Sequence, residues 1–253
     1  MKNGAHFIHW QIRIALTILA VTASAQSGLA VYFEQFAPYS FGQHDQVKGY
    51  FVDVLNEAVA KRAGISLKHQ GMPWKRAQAM VANGQADLMV TAPTTDRLAY
   101  SDKISPAIQV EQLRFYTLRS HPELKSFYKI KQLEDARPFR IGAYFGSGWV
   151  QAHLTGYKVD AARDFTESID KLLIGRIDLI PDLHETASWM IRDRGVRAEV
   201  VELPLVLDTL PFHIMIGKRS PLFSQKDRIA TALQGMQSDG TLARLKAKHG
   251  IGN

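Results

Sequence analysis

The chain has 253 residues, 46% of them apolar, with a formal charge of +7 and no cysteine. That is enough for one large domain or two small ones. The missing thiols exclude disulfides, a thiolate nucleophile and lipid attachment at a cysteine. The Lys and Arg residues are scattered, with no basic block and no nucleic-acid motif, so the charge is read as a solvated basic surface and nucleic acid is not an expected partner.

The first 25 residues carry only Lys2 and Arg13 as formal charges, then the apolar stretch "IALTILAV" and "TASAQ". Ala23-Ser24-Ala25 follows the small-x-small rule, so a cleavable signal peptide is expected, cut before Gln26. The apolar core is far shorter than the roughly 20 residues a membrane span needs. An exported, periplasmic protein follows. Removing the segment takes away two positive charges and no negative one, leaving +5.

"GLAVYF", Gly28 to Phe33, is an apolar run expected as a buried strand. A loop rich in turn residues and rings follows, "EQFAPYSFGQHDQVKG". "YFVDVLNEAVAKRAG" has helical period, with Phe51, Val54, Leu55, Ala58 and Val59 on one stripe and Gly64 as the stop. "ISLKH" is expected as a strand, "MPWKRAQAMVANG" as a helix with Pro73 in its first turn, and "ADLMVTA" as a third strand. This is the pattern of an α/β layer with a mainly parallel sheet.

The pattern then restarts. "FRIGAYFG" is a strand and "SGWVQAHL" opens a helix. "TESIDKLLIGRIDLIPD" is helix, glycine turn and strand, "HETASWMIRDRG" a helix, and "AEVVEL" a strand. "ANGQADLMV" and "LIGRIDLIP" echo each other as helix, Gly-x-x-Asp, strand, through Gly84/Asp87 and Gly175/Asp178. The last segment reads strand, turn, long helix, turn, short helix. Ser220-Pro221 is expected as N-cap and first helical residue, and Asp239-Gly240-Thr241 as turn and cap.

Enzyme motifs fail one by one. A nucleophile elbow at Ser147 would need glycines where Phe145 and Trp149 stand. A dinucleotide fingerprint would need glycine at Gln151, and no Gly-Lys-Ser/Thr exists for a phosphate loop. "HETAS" lacks the second histidine of a zinc protease, and the nine histidines are scattered, so no metal or other cofactor is expected.

Five pieces in order resemble a known family. They are "APYSF…VKGYFVDVLNEAVAKRAGI", "NGQADLMVTAPTTDRLAYSDKIS", "IGAYFGSGWVQ", "LLIGRIDLIPD" and "MIGKRSPLF". Together they resemble extracellular solute-binding proteins of the polar amino acid type, the receptors of ABC importers. "MPWKRA" resembles a Pro-Trp-x-Arg branch of them. The resemblance implies a type II fold of two α/β lobes, crossed twice by hinge strands. Gln26 to Leu118 with Asp208 to Asn253 would form the first lobe, and Arg119 to Leu207 the second. It implies a monomeric receptor that closes on a small carboxylate-bearing solute, an amino acid or a relative, and hands it to a membrane permease.

The same resemblance implies the site. Arg97 of the Thr-x-x-Arg turn would fork onto a ligand carboxylate, a geometry suited to guanidinium. The alternative is a surface arginine paired with Asp96 or Asp102. Thr91 and Ala92 would offer groups at the strand end, Tyr39 and Phe41 a stacked ring or mere loop packing, and Ser147 and Gly148 contacts from the second lobe. Asp182 either takes a ligand ammonium or caps the next helix with Glu185 at N3. Trp74 either leans into the cleft or packs with Ala77 and Val81, and Arg76 is a second cation there or solvated. Two other roles stay open: a dehydratase on a cyclic carboxylate, with Glu34, Asp182 and Glu185 as candidate acids, and a sensory role through a signalling partner.

Overall fold

The computed structural model describes residues 27–252. The expected signal peptide lies outside the described residues. Among the described residues no helix is long and apolar enough to cross a membrane.

The first strand, β1 (Gly28–Phe33), is central because its residues are apolar on both faces. The ring-rich loop forms a two-strand ribbon, β2 (Gln35–Phe36) with β3 (Ser40–Phe41). Helix α1 (Tyr50–Leu55) runs on as a wider π-helical segment, Asn56–Arg62, whose end is marked by the Ala63 amide donating to the Ala58 carbonyl at 3.0 Å. All five residues of the expected stripe are buried. Gly64 ends the helix at φ +61°. β4 (Leu67–Met72) pairs parallel with β1 from Gly28↔Leu67 to Phe33↔Met72. It therefore starts later than "ISLKH"; Ile65 packs into the core ahead of it instead.

Helix α2 (Trp74–Ala82) buries Trp74, Ala77 and Val81, and Asn83 caps its end. β5 (Leu88–Thr91), fully buried, joins the other edge of β1 in parallel. A short helix, α3 (Thr95–Tyr100), leads into the 18-residue strand β6 (Ser101–Leu118).

The second unit follows helix α4 (Leu124–Phe127). Strands β7 (Arg140–Tyr144) and β8 (Lys158–Ala162) are parallel, with helix α5 (Gly148–His153) between them. Helix α6 (Phe165–Leu173) precedes β9 (Ile180–Leu183), and helix α7 (His184–Asp193) follows it. The chain returns through β10 (Val200–Gly217), also 18 residues, to helices α8 (Lys226–Ser238) and α9 (Thr241–Lys248).

β6 and β10 run antiparallel along most of their length, with register breaks at Glu202/Val206, Val206/Asp208 and Phe212/Ile214. One end of the ribbon pairs with β5 and the other with β9, giving the sheet order β4-β1-β5-β10-β6-β9. The two α/β units are thus joined by two long strands, each belonging partly to both.

The Gly-x-x-Asp echo is a structural repeat. Gly84 and Gly175 both stop their helices in the left-handed region, at φ +75° and +68°. Asp87 then accepts the Leu29 amide of β1 at 2.7 Å, and Asp178 the Arg140 amide of β7 at 2.7 Å. Each aspartate ties its strand to the first strand of its own unit.

Ser220 does not cap α8, which starts at Lys226. Its hydroxyl accepts the Leu222 amide in a tight turn and donates to Asp87. Asp239 does accept the Thr241 amide at 2.9 Å, across Gly240 at φ +74°.

Candidate functional site

The site begins with a cap. Thr94 ends an extended stretch, and its hydroxyl accepts the Arg97 amide at 3.3 Å, which starts α3. That helical turn swings the Arg97 side chain inward, leaving the residue only 6% exposed. Nη1 donates to the Ala92 carbonyl at 2.9 Å and Nε to Gln78 Oε1 at 3.3 Å. The guanidinium lies 5.3 Å from the Trp74 ring centroid, a cation–π contact.

Among the described residues no carboxylate pairs with Arg97. Asp102, one of the surface partners considered from sequence, pairs instead with Lys226 at 3.0 Å. Burial pulls the Arg97 pKa below its usual range, yet a guanidinium keeps its proton. A buried cation held by neutral groups alone is costly, and the open Nη2 end is where an anion would offset that cost.

Arg97 stands in the wall of a cavity of about 220 Å³ between the two units. Thr91, Ala92 and Trp74 line it from the first unit, and Ser147 and Gly148 from the second. The Ala92 carbonyl is already taken by Arg97. Trp74 serves both roles considered for it, packing with Ala77 and Val81 while facing the cavity. Ser147 caps α5 by accepting the Val150 amide at 3.3 Å.

Two glycines let the units meet here. A Cβ on Gly148 would lie 3.2 Å from Thr94 Cγ2 and 3.5 Å from Arg97 Nη2. A Cβ on Gly146, at φ +87°, would lie 3.1 Å from Trp74 Cδ1.

Tyr39, Phe41 and Asp182 do not line the cavity. Tyr39 is fully buried, stacked at 4.7 Å on Phe51, and its hydroxyl donates to Glu111 on β6. Gln109 Nε2 also donates to that carboxylate at 2.6 Å, and the Glu185 amide to its other oxygen at 3.3 Å. Burial still pushes the Glu111 pKa up. Phe41 is half-buried, beside Trp189 at 5.9 Å and Lys48. Asp182 is 2% exposed. Its Oδ1 accepts the Leu183 amide at 2.6 Å, while Oδ2 has no partner among the described residues. Burial pushes its pKa up to about 7. Asp182 does not cap α7, whose N-cap is Leu183, and the Glu185 carboxylate turns instead to the Gly252 amide at 2.8 Å. Neither Glu34 nor Glu185 lines the cavity, nor does Arg76.

The rings that face the cavity are others: Phe33 and Phe36 near β1, Phe212 on β10, and Tyr144 and Trp149 across the cleft. Phe33 and Tyr144 stack between units at 6.1 Å. The resemblance marked the rings of this loop for the site; Phe36 lines the cavity, while Tyr39 is in the core. Asp208 on β10 also lines the cavity, half-exposed, with Oδ1 accepting the Thr209 amide at 2.7 Å. No group of three or more His, Asp or Glu residues that could hold a metal occurs among the described residues.

Residues 29–252 match the bacterial extracellular solute-binding proteins, family 3. The chain belongs to that family. No curated protein sequence matches this solute-binding protein. Many solved structures share its fold. A histidine kinase sensor domain with similarity to periplasmic binding proteins superposes with a TM-score of 0.77 at 16% identity, covering 88% of this chain and 96% of the other. An ancestral arginine-binding protein bound to arginine gives 0.74 at 21%, covering 88% and 97%. The arginine-, lysine-, histidine-binding protein ArtJ from Geobacillus stearothermophilus gives 0.74 at 17%, covering 88% and 95%. These likenesses show a two-lobed, type II periplasmic binding protein-like fold, and the β6–β10 ribbon supplies its two hinge crossings.

Proposed function

We propose that this solute-binding protein is an exported, monomeric receptor whose two lobes close on a small carboxylate-bearing solute, an amino acid or a relative, for delivery to an ABC permease. The observation that carries the reading is Arg97, a buried guanidinium with no carboxylate partner among the described residues, set in the wall of the interlobe cavity. The lobes are taken as Gln26 to Leu118 with Asp208 to Asn253, and Arg119 to Leu207. Hinge closure then brings the Gly146–Gly148 turn onto Arg97 and Trp74. The protein performs no chemistry in this reading; binding energy is spent partly on closure.

A thermal-shift screen of the purified chain against amino acids, dicarboxylates and cyclic carboxylates tests it. A carboxylate at about 100 times its Kd adds about 2.7 kcal/mol of stability, a shift of several degrees. The shift should vanish in Arg97→Ala. A shift that survives the substitution removes Arg97 from the site, and no shift from any carboxylate overturns the reading. Closure can also be read by a signalling partner, a role that the likeness to a sensor domain supports. Uptake of the bound solute by cells with and without the gene separates delivery from sensing.

A further inference from the structure

We infer that the ligand is a flat, apolar monocarboxylate, a single ring on a short acid arm, recognised without an ammonium group. This rests on the receptor reading and names the class of solute that its site takes.

The first support is the balance of charge around the cavity. Its ionisable lining residues are Arg97, Asp208, His153 and Tyr144, whose desolvated phenol keeps its proton. His153 stacks on Trp149 at 4.8 Å, and its Nδ1 lies 2.9 Å from the Trp149 carbonyl. Asp208 has one oxygen committed to the Thr209 amide. Asp182, the carboxylate best placed in sequence to receive an ammonium, is sealed off from the cavity. A cationic group entering this space would leave water for one half-used carboxylate, an unfavourable exchange.

The second support is the shape and chemistry of the remaining wall. Phe33, Phe36 and Trp74 line one side and Tyr144 and Trp149 the other, with Phe212 on the return strand. Aromatic faces at this density suit another ring, which gains offset-stacked and edge contacts beyond its buried area. The cavity is small, with a volume of about 220 Å³. That admits one ring and a short arm, with the carboxylate at Arg97.

The experiment measures calorimetric affinities of the purified chain for four probes: 3-phenylpropanoate, L-phenylalanine, L-arginine and acetate. 3-Phenylpropanoate differs from L-phenylalanine only in lacking the ammonium. It is expected to bind at least as tightly as L-phenylalanine, and at least tenfold more tightly than acetate or L-arginine. Trp74→Leu should weaken 3-phenylpropanoate several-fold more than acetate, because both probes share the lost Arg97 contact and only one loses ring stacking. Phe33→Leu, at a half-buried ring, repeats that test should Trp74→Leu lower the melting temperature. L-Phenylalanine or L-arginine binding tenfold more tightly than 3-phenylpropanoate overturns the inference and leaves the carboxylate receptor standing. 3-Phenylpropanoate binding no better than acetate overturns it too. All four probes silent overturns the inference, while the wider carboxylate screen decides the receptor reading separately.

Discussion

Asp182→Asn should make the protein more stable at neutral and alkaline pH and change little near pH 4. The wild-type carboxyl is 2% exposed, one oxygen has a single amide donor, and the other has no partner among the described residues. Burial, helped by the nearby Glu111, raises its pKa from 3.8 in the unfolded chain to about 7 in the fold. Below pH 4 both states hold the proton, and the residue is neutral in stability. Between about pH 4 and 7 the unfolded chain gives its proton up first, so stability falls by about 1.4 kcal/mol per pH unit. Above pH 7 the accumulated cost levels off at about 4 kcal/mol. Asparagine cannot ionise and avoids that cost, while the neutral acid and the amide leave similar polar atoms enclosed. Urea unfolding of both proteins at pH 4, 5.5, 7 and 8.5 measures the difference, with equal m-values confirming the same exposed surface. The gap should open progressively to several kcal/mol at pH 8.5. A gap independent of pH, or a variant less stable than wild type at pH 8.5, refutes the reasoning. A ligand ammonium placed against Asp182 would lower its pKa and flatten the slope; 3-phenylpropanoate should leave the slope in place.

Other substitutions test the geometry at separate points. Gly148→Ala puts a methyl 3.2 Å from Thr94 Cγ2, so the closed lobes must part by a few tenths of an ångström. Carboxylate affinity should fall about fivefold with an unchanged melting temperature without ligand; an unchanged Kd by calorimetry refutes the contact. Asp178→Ala strips the Arg140 amide and guanidinium of their shared acceptor, costing about 2–3 kcal/mol by urea unfolding. The Asp178 pKa is lowered in the fold, so the contribution of its ionised form is full above pH 3.8 and declines as pH falls from there through the native pKa; a deficit of the variant that grows as pH falls contradicts the account.

Much of the fold was legible because its signals are local. The apolar run at Gly28 to Phe33, the Trp74 helix stripe and the Gly-x-x-Asp echo each describe residues that a single lobe completes. The long strands β6 and β10 were not legible as 18-residue elements. Each passes from one lobe to the other, so its burial follows no single alternation, and Pro106, Pro204 and Pro211 interrupt it. The start of β4 moved because its register with β1, a non-local property, decides where pairing begins. In the site, Arg97 could be singled out because its segment resembles the family's Thr-x-x-Arg turn. The rings could not be sorted. Tyr39 and Phe36 are three residues apart in one loop, and only the partner surfaces, Glu111 for one and the cavity for the other, separate them. Asp208 carried no motif at all; its place depends on where β10 crosses the cleft.

The buried polar atoms that lack partners among the described residues lie near the Arg97 turn and the crossing strands. They are Gln78 Nε2, Tyr100 OH, Gln109 Oε1, Asp182 Oδ2 and Thr186 Oγ1. Buried groups in native proteins are nearly all satisfied, so their placement carries information. Gln78 supports Arg97, and Tyr100 belongs to the same helix as Arg97, facing the Gly146–Gly148 turn. Gln109 sits on a crossing strand beside Glu111, and Asp182 and Thr186 span the β9–α7 junction that docks on that strand. Gln109 also borders a surface pocket shared with Gln237 of α8 and Leu242 and Lys246 of α9. Each of these atoms is enclosed without a partner among the described residues. Each costs on the order of 1–3 kcal/mol when enclosed without a partner. Gln78, which accepts from Arg97, is the one of them tied to the cavity wall, and in the proposed receptor an anion at Arg97 offsets part of that cost.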